Sequence, residues 1–475
     1  MRGSNMFLKG CLLGVFVVAL TAGAHAELIL YYSFDQNVGP GGTVVNQANP
    51  GTYNGTLQHD AYTNGFLNLD GTDDFLQTTL PTGNLTTPVT FSFWMNASQV
   101  RKSPILSGYL SGNSNRWDIQ LSRSDDQKIR FIAHEDKSGG PRSTTSIAAN
   151  TWYHVAVVHR GAGSTVSLYV NGALESTTSM AYGLNTGIDM MIGKGDGFNF
   201  AGQLDEVAIW TNEALSSGQI RGIAQRAAVA IRDGDWNTAA NWFSQPPDAT
   251  QDAVIAGSRT LTISSGTAQA NNLVIGAAGE TATLNLAGGT LTVAGNITRG
   301  ATGTAAFHWT GGTLHVDTFG TATVPFDLNQ LGGVLAPGRS IGSTTIYGNY
   351  LQEEAGMLEI EIASPTNFDT VSVFGNAELH GDIVVKLLDG YIPAVGQTFP
   401  ILSTTGSLDI TNLGVIQSQA MAGGWILLTA PRQGGGELLI LQAVPEPSSG
   451  SLALLGLAGL GLAAGYRLRR RPQGS

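Results

Sequence analysis

The chain has 475 residues, of which 42% are hydrophobic and only 12% charged, with 63 glycines and a single cysteine. That length accommodates two or more domains, and the low charge, the abundant glycine and the near-absence of helical periodicity point to an all-β protein. The first 26 residues contribute +2 and the last 32 contribute +3 to a net charge of −11, so residues 27 to 443 carry −16; such a body repels phosphate backbones, which excludes nucleic acid as a partner.

The first element is a leader. Arg2 and Lys9 precede the apolar run Cys11–Gly23, and Ala24-His25-Ala26 places small residues where a signal peptidase needs them. Residues 1–26 therefore read as a signal peptide cut between Ala26 and Glu27, and the secretion machinery and signal peptidase are the partners it implies. The run is too short to cross about 30 Å of hydrocarbon comfortably. Cys11 is lost with the leader, so an exported body is left with no disulfide, no thiol catalysis and no cysteine zinc site.

Residues 27–227 read as short strands separated by turns. An apolar run opens at Leu28–Phe34. Leu67-Asn68-Leu69 leads into the turn Asp70-Gly71-Thr72-Asp73-Asp74. Val89–Met95 alternates, Trp152–Val158 reads as a buried strand, and Val166–Val170 ends on Asn171-Gly172, a hairpin signal. Gln203–Trp210 closes the series. This spacing predicts a β-sandwich or jelly roll. The pieces LNLDGTDDF, VTFSFWM, NTWYHVAVV, VSLYVNG and GQLDEVAIWTNEALSSGQI resemble, in order, the laminin-G-like, concanavalin A-like jelly roll of bacterial surface proteins and glycosidases. The resemblance implies glycan or protein binding, with a structural calcium ion as the possible cofactor. Asp35 and Asp205 are the candidate calcium ligands, since hard oxygen donors suit that ion; Asp70, Asp73 and Asp74 read first as turn formers. Tyr109, Asn113, Asn115, Arg116 and Trp117 are the candidate ligand-binding residues, because aromatic faces stack on sugars and amides bond their hydroxyls. His154 reads as a core histidine.

Residues 228–443 read as a repeat. After an opening segment around Trp236, Trp242 and Pro246-Pro247, Gly-Gly pairs begin at Gly288, Gly311 and Gly332, spaced 23 and 21 residues apart. Asn272–Gly276 answers Asn296–Gly300, and AGGTLTV answers TGGTLHV. A period near 22 with short strands and glycine turns predicts a β-solenoid whose rungs bury their faces on one another, with a less regular β cap over the last hundred residues. GGVLAPGRSIG, YGNYLQ, FDTVSVFGNAELHGDIVV and GYIPAVGQTFPIL make it similar to autotransporter-passenger-like β-helices. Between Ser258 and Val324 the charged residues are Arg259, Glu280, Arg299 and Asp317. That is too sparse for the paired carboxylates of a glycosidase or the clustered acids of a lyase. In the jelly roll Asp125-Asp126 and Glu135-Asp136 remain as acids that could pair. No catalytic residue is assigned, and the chain is read as a non-enzyme.

Residues 444–475 form a tail. Val444-Pro445-Glu446-Pro447 is followed by the uncharged stretch 450–466, near the lower limit for a single transmembrane helix, and then by Arg467, Arg469, Arg470 and Arg471. The arginines stay cytoplasmic, which places the body outside the inner membrane. The three parts in this order resemble the PEP-CTERM sorting signal of Gram-negative bacteria. That resemblance implies processing by an exosortase, and a mature protein at the cell surface or in the matrix of a biofilm. The reading as a whole is an exported, non-catalytic surface protein: a jelly roll that binds glycan or protein, exopolysaccharide or a surface protein being the partner, with a solenoid spacer and a sorting tail. The alternatives are a polysaccharide-active hydrolase or lyase, and a purely structural envelope component.

Overall fold

The computed structural model describes residues 26–109, 116–121, 126–133, 140–181, 183–195, 197–417 and 423–445. The leader up to His25 and the tail from Glu446 lie outside the described residues. Among those described, no helix is long and apolar enough to cross a membrane.

The N-terminal part is a sandwich of two antiparallel sheets. The larger runs Ala173–Met180, Ser164–Val170, Trp152–His159, Val89–Ala97, Ala201–Thr211, Leu67–Asp70 and Tyr62–Thr63, with Glu27–Tyr32 also paired to Ala201–Thr211. The smaller runs Ile129–Ala133, Trp117–Leu121, Ser103–Ser107, Asp189–Ile192, Phe75–Pro81, Gly55–Gln58 and Thr43–Val44. The Asp70–Asp74 turn carries the chain from one sheet to the other. Asn171 and Gly172 both adopt positive φ, 49° and 79°, as a tight hairpin between right-twisted strands requires. Phe91, Phe93, Trp117, Phe131, Leu168 and Leu204 fill the space between the sheets.

The central strands of the larger sheet are buried on both faces. Along Trp152–His159, Val155 and Val157 enter the inter-sheet core while Ala156 and Val158 enter a second one; along Ala201–Thr211, Val207 and Ile209 divide from Ala208 and Trp210 in the same way. The period of two is intact, but both parities are apolar because both faces are covered. What covers the outer face is the helix Ser217–Ala224 and the first solenoid rungs, through Leu215, Ile220, Ile223, Val229, Phe243 and Val254. The helix begins in a capping box, the Ser216 side chain accepting from Gln219 N while the Gln219 side chain accepts from Ser216 N. Glu280 of the solenoid accepts from Ser216 Oγ at 2.8 Å, Gly218 N at 2.7 Å and Gly257 N at 2.9 Å. A carboxylate on the orphan amides of a helix N-terminus is stabilising, and here it ties the two halves together. Gly218 permits the approach: a Cβ there would lie 2.4 Å from that of Ala277.

The C-terminal part is a β-solenoid with two parallel ladders. The narrower ladder stacks Gly234–Asp235, Thr260–Ile263, Glu280–Leu286, Gly303–Trp309, Leu328–Gln330, Tyr350–Gln352, Ala377–Leu379 and Leu408–Asp409. In the wider one Thr290 pairs with Thr313 and Thr313 with Val334, the same 23- and 21-residue steps that separate the Gly-Gly pairs. The second glycine of each pair is left-handed (Gly289 66°, Gly312 77°, Gly333 82°), and a Cβ on Gly312 would lie 2.7 Å from the backbone of Gly288 in the rung below. Later rungs lengthen: Tyr350 pairs with Ala377, 27 residues on, and Ala377 with Leu408, 31 on. Buried side chains bridge successive rungs in this region. Gln330 Nε2 donates to the carbonyls of Gly333 and Met357, and Gln352 Nε2 to those of Gly356 and Asp382. The parallel ladder persists to Gly414–Gln417, so the irregular cap is shorter than the hundred residues expected. It consists of Thr398–Thr404, Gly424–Pro431 and Glu437–Val444, antiparallel to one another where they pair.

Candidate functional site

Two concavities lie beside residues singled out by the sequence, the first next to Asp205 and the second at Tyr109. The first lies where the two halves meet, lined by Tyr31, Trp94, Glu206, Arg226, Phe243, Ser244, Gln245 and Gln251. A bulge in Ala201–Thr211 between Asp205 and Ala208, with Glu206 at φ 53°, sets two neighbouring acids here. Asp205 is buried; its Oδ1 accepts from Glu206 N at 3.0 Å and its Oδ2 lies 3.6 Å from Arg226 Nη2. Burial, and next the Glu206 charge, push the Asp205 carboxyl up to about 7. Burial also raises Glu206, whose Oε2 accepts from Tyr31 Oη at 2.5 Å. The Arg226 guanidinium lies 5.0 Å over the Trp94 ring. The cavity measures about 100 Å³, room for a few waters at about 30 Å³ each but not for a sugar ring.

Asp35, the other expected calcium ligand, accepts from Ser33 Oγ at 2.6 Å, and its charge raises Asp205 and Glu206. The structure thus brings Asp35 and Asp205 into one electrostatic neighbourhood. It supplies Asp205 with a guanidinium partner, however, and among the described residues assembles no third acid within ligating range of the two. Among the described residues, three acids whose oxygens all approach within 4.8 Å are Asp70, Asp73 and Asp74, residues that read first as turn formers. Asp70 Oδ1 accepts from Thr72 N, and Asp74 Oδ2 accepts from Asp70 N. Asp73 lies 3.1 Å from His59 Nδ1. Asp74 Oδ1 is buried without a hydrogen bond, and burial raises the Asp74 carboxyl. Three carboxylates with one orphaned oxygen fit the hard-donor preference of calcium, so this turn is the better donor set.

The second concavity is a groove of about 490 Å³ on the smaller sheet, lined by Gln77, Tyr109, Gly187, Ile188, Asp189 and Met191. Met191 pairs with both Gln77 and Ser107 across adjacent strands, and Tyr109 follows Ser107 by two residues, at the rim. The Arg116 guanidinium lies 5.1 Å over the Tyr109 ring. Two of the five expected ligand-binding residues therefore stand together here. Asn113 and Asn115 lie outside the described residues. Trp117 is a correction: its side chain is fully buried, 5.1 Å from Phe91 and 6.4 Å from Phe131, and its Nε1 donates to Leu184 O at 3.0 Å. Strand parity turns it into the inter-sheet core, where it presents no face to a ligand. Gln77, Asp189 and Met191, which the sequence reading missed, carry no motif; only the strand pairing unites them.

The other reactive groups have structural partners. Burial lowers His154 to about 3, and its Nε2 lies 2.8 Å from Ser92 Oγ. Asp126 pairs with Arg130 at 2.6 Å and Arg142 at 2.9 Å; Asp125, Glu135 and Asp136 lie outside the described residues. Arg259 pairs with Glu213, Glu280 caps the helix, and Arg299 Nε donates to Pro325 O at 2.9 Å. At the chain's ends, Ala26 N donates to Glu213 Oε2 at 3.1 Å, Glu27 opens the first strand and Val444 ends the last. Pro445 is the last residue described. Ala24, Glu446, Pro447, Arg467, Arg469, Arg470 and Arg471 lie outside the described residues.

Residues 70–221 match the family model of the concanavalin A-like lectin/glucanases superfamily, and residues 443–471 match the PEP-CTERM protein-sorting motif. No curated protein matches the sequence. Domain 4 of AbnA, a GH43 extracellular arabinanase from Geobacillus stearothermophilus, in complex with arabinotriose, is similar at 16% identity and TM-score 0.32, over 42% of this chain and all of that one. The heptameric SAP-like pentraxin of Limulus polyphemus is similar at 19% identity and TM-score 0.25, over 29% of this chain and 69% of that one. Trypanosoma rangeli sialidase is similar at 13% identity and TM-score 0.33, over 42% of this chain and 32% of that one. The chain thus carries a concanavalin A-like jelly roll, a β-solenoid and a PEP-CTERM sorting motif, and that motif indicates an exported, surface-associated protein.

Proposed function

We propose that this is a non-catalytic cell-surface or matrix protein whose jelly roll takes a glycan, or a protein, in the groove at Tyr109. One observation carries the reading: a groove opens on the smaller sheet between Tyr109 and the strand Asp189–Ile192, while the helix and the first solenoid rungs cover the centre of the larger sheet's outer face. The groove lies within the usual 300–1,000 Å³ of ligand sites. It combines an aromatic face, a cation stacked on it, an amide and the carboxylate of Asp189, which suits polyhydroxylated ligands better than apolar ones. The solenoid then acts as a rigid mount, since the shared core leaves no flexible joint. The leader directs secretion, and an exosortase cuts near Val444–Pro447. A cut before Glu27 leaves the first strand whole. Calcium at Asp70, Asp73 and Asp74 would brace the turn between the sheets.

The test is binding of the purified protein to the host's extracted matrix polysaccharide. Saturable binding that falls at least tenfold in Tyr109→Ala, with an unchanged melting temperature, is the expected outcome. Equal binding by wild type and variant would overturn the placement of the site. Cleavage of the polysaccharide would favour the hydrolase or lyase, and absence of any binding the purely structural envelope component.

A further inference from the structure

The two most exposed large hydrophobic side chains of the described residues lie in one loop: Ile392 is 75% and Val395 67% exposed. The loop, Leu388–Gln397, is held in shape. The Gln397 side chain accepts from Tyr391 Oη at 2.7 Å and from Ala394 N at 3.0 Å, and Gln397 N donates to Ala394 O. Tyr391 packs edge-on to the buried Phe399. Two aliphatic side chains are therefore presented to the outside by a fixed scaffold, and none of the described residues covers them.

Their place in the topology says what does. Thr398 pairs with Gln442 and Phe399 with Leu441, antiparallel. Gly396 N donates to Ala443 O and Ala443 N to Gln397 O. The loop thus projects from the end of the sheet at which the last strand leaves for the tail. From Val444 to the uncharged run at Gly450 there are five intervening residues, which span at most about 20 Å when extended. In a chain anchored by that run, this end of the solenoid stands within reach of the headgroup layer. Its chemistry agrees: no charged residue occurs from 390 to 408 or from 410 to 431, in a body that carries −16, so nothing opposes entry into a neutral interface. The charged residue of the loop itself, Asp389, stands at its base, ahead of the glycine turn at Gly390 (φ 72°).

We propose that Ile392 and Val395 rest in the lipid interface of the membrane holding the precursor, as a second, apolar contact that fixes how the Val444–Pro447 motif is presented at the bilayer surface. The proposal rests on the tail being a membrane anchor. Aliphatic side chains on a small wedge partition into the headgroup boundary by buried apolar area, and Tyr391 beside them suits the same layer. A protein surface is the other class of occupant. The lipid is favoured because the short linker brings it there without a further partner.

The chain has a single cysteine, so a Cys11→Ser background accepts one environment-sensitive fluorophore at Ile392→Cys or Val395→Cys, with Leu331→Cys on the solenoid side as the control. The full chain is reconstituted into phosphatidylcholine vesicles and floated. In the floated fraction, blue-shifted emission and quenching by lipid-borne nitroxide at 392 and 395, but not at 331, are expected. Water-like emission at 392 and 395 in chains that do float overturns the loop contact and leaves the anchor standing. Chains that fail to float overturn the anchor, and the proposal with it. A shift that appears only when exosortase is added overturns the lipid in favour of a protein partner.

Discussion

Asp205 shows how one buried side chain converts position into pH dependence. Its folded carboxyl titrates at about 7, against about 3.9 in an unfolded chain. Between those values the folded protein holds a proton that the unfolded one has released, so the stability Asp205 contributes declines as pH rises from roughly 4 to 7. Asp205→Asn should match wild type near pH 4 and gain on it steadily toward pH 7, read by urea titration at each pH; a pH-independent difference would refute the assignment. Arg226, largely exposed, loses little with its partner. His154 has the opposite sign, its lowered value favouring proton uptake by the unfolded chain below about pH 6.5, but it is common to both proteins and cancels. Asp74 makes a separate case. If its orphaned oxygen receives calcium at the 10⁻⁴–10⁻³ M typical of extracellular modules, 10 mM calcium stabilises by about 1.5–3 kcal/mol. The melting temperature should rise accordingly in wild type and stay unmoved in Asp74→Asn; a rise in both places the ion elsewhere.

At the scale of elements, the glycine turns of the solenoid separate two contributions that sequence treats alike. Gly279 and Gly312 are both left-handed, at 81° and 77°. A Cβ on Gly279 meets open space, whereas one on Gly312 strikes the backbone of the rung beneath. Gly279→Ala should cost about 1–2 kcal/mol, the left-handed penalty alone. Gly312→Ala should cost distinctly more, because backbone of a stacked rung cannot step aside as a flexible side chain does. Equal costs in urea unfolding would mean that the rungs relax freely. The Gly-Gly spacing was legible in the sequence because each pair stacks on the one before. The lengthening to 27- and 31-residue rungs was not, because no Gly-Gly pair recurs between Tyr350 and Leu408 to mark those steps.

For the whole molecule, the shared apolar core is what matters. Trp210 is fully buried, and its ring lies 5.1 Å from that of Phe243 across the junction. Truncating such a side chain costs about 3–5 kcal/mol. The wild-type protein should therefore melt in one calorimetric transition, and Trp210→Ala should lower it and split it into two as sandwich and solenoid uncouple. Two transitions in the wild type would show the halves to be independent. The same junction limits where a ligand can bind, by covering the centre of one sheet's outer face.

Alternation, turn residues and repeat spacing determined the strands, the two architectures in order and the three-part tail, because each follows from contacts between residues close in sequence or from a period that stacking enforces. The runs HVAVV and EVAIW were even a sign that both faces of their sheet are covered, since one-sided burial would have left every second residue polar. Only the tertiary structure decided what covers them. The same is true of Trp117, which parity alone turns inward from a loop whose composition suits a sugar. It holds for the acids as well: a guanidinium from beyond the helix reaches Asp205, while a turn gathers Asp70, Asp73 and Asp74. Which oxygen keeps a partner and which is buried without one depends on contacts between residues as far apart as Tyr31 and Glu206, and pairing over such distances is a property of the packed chain.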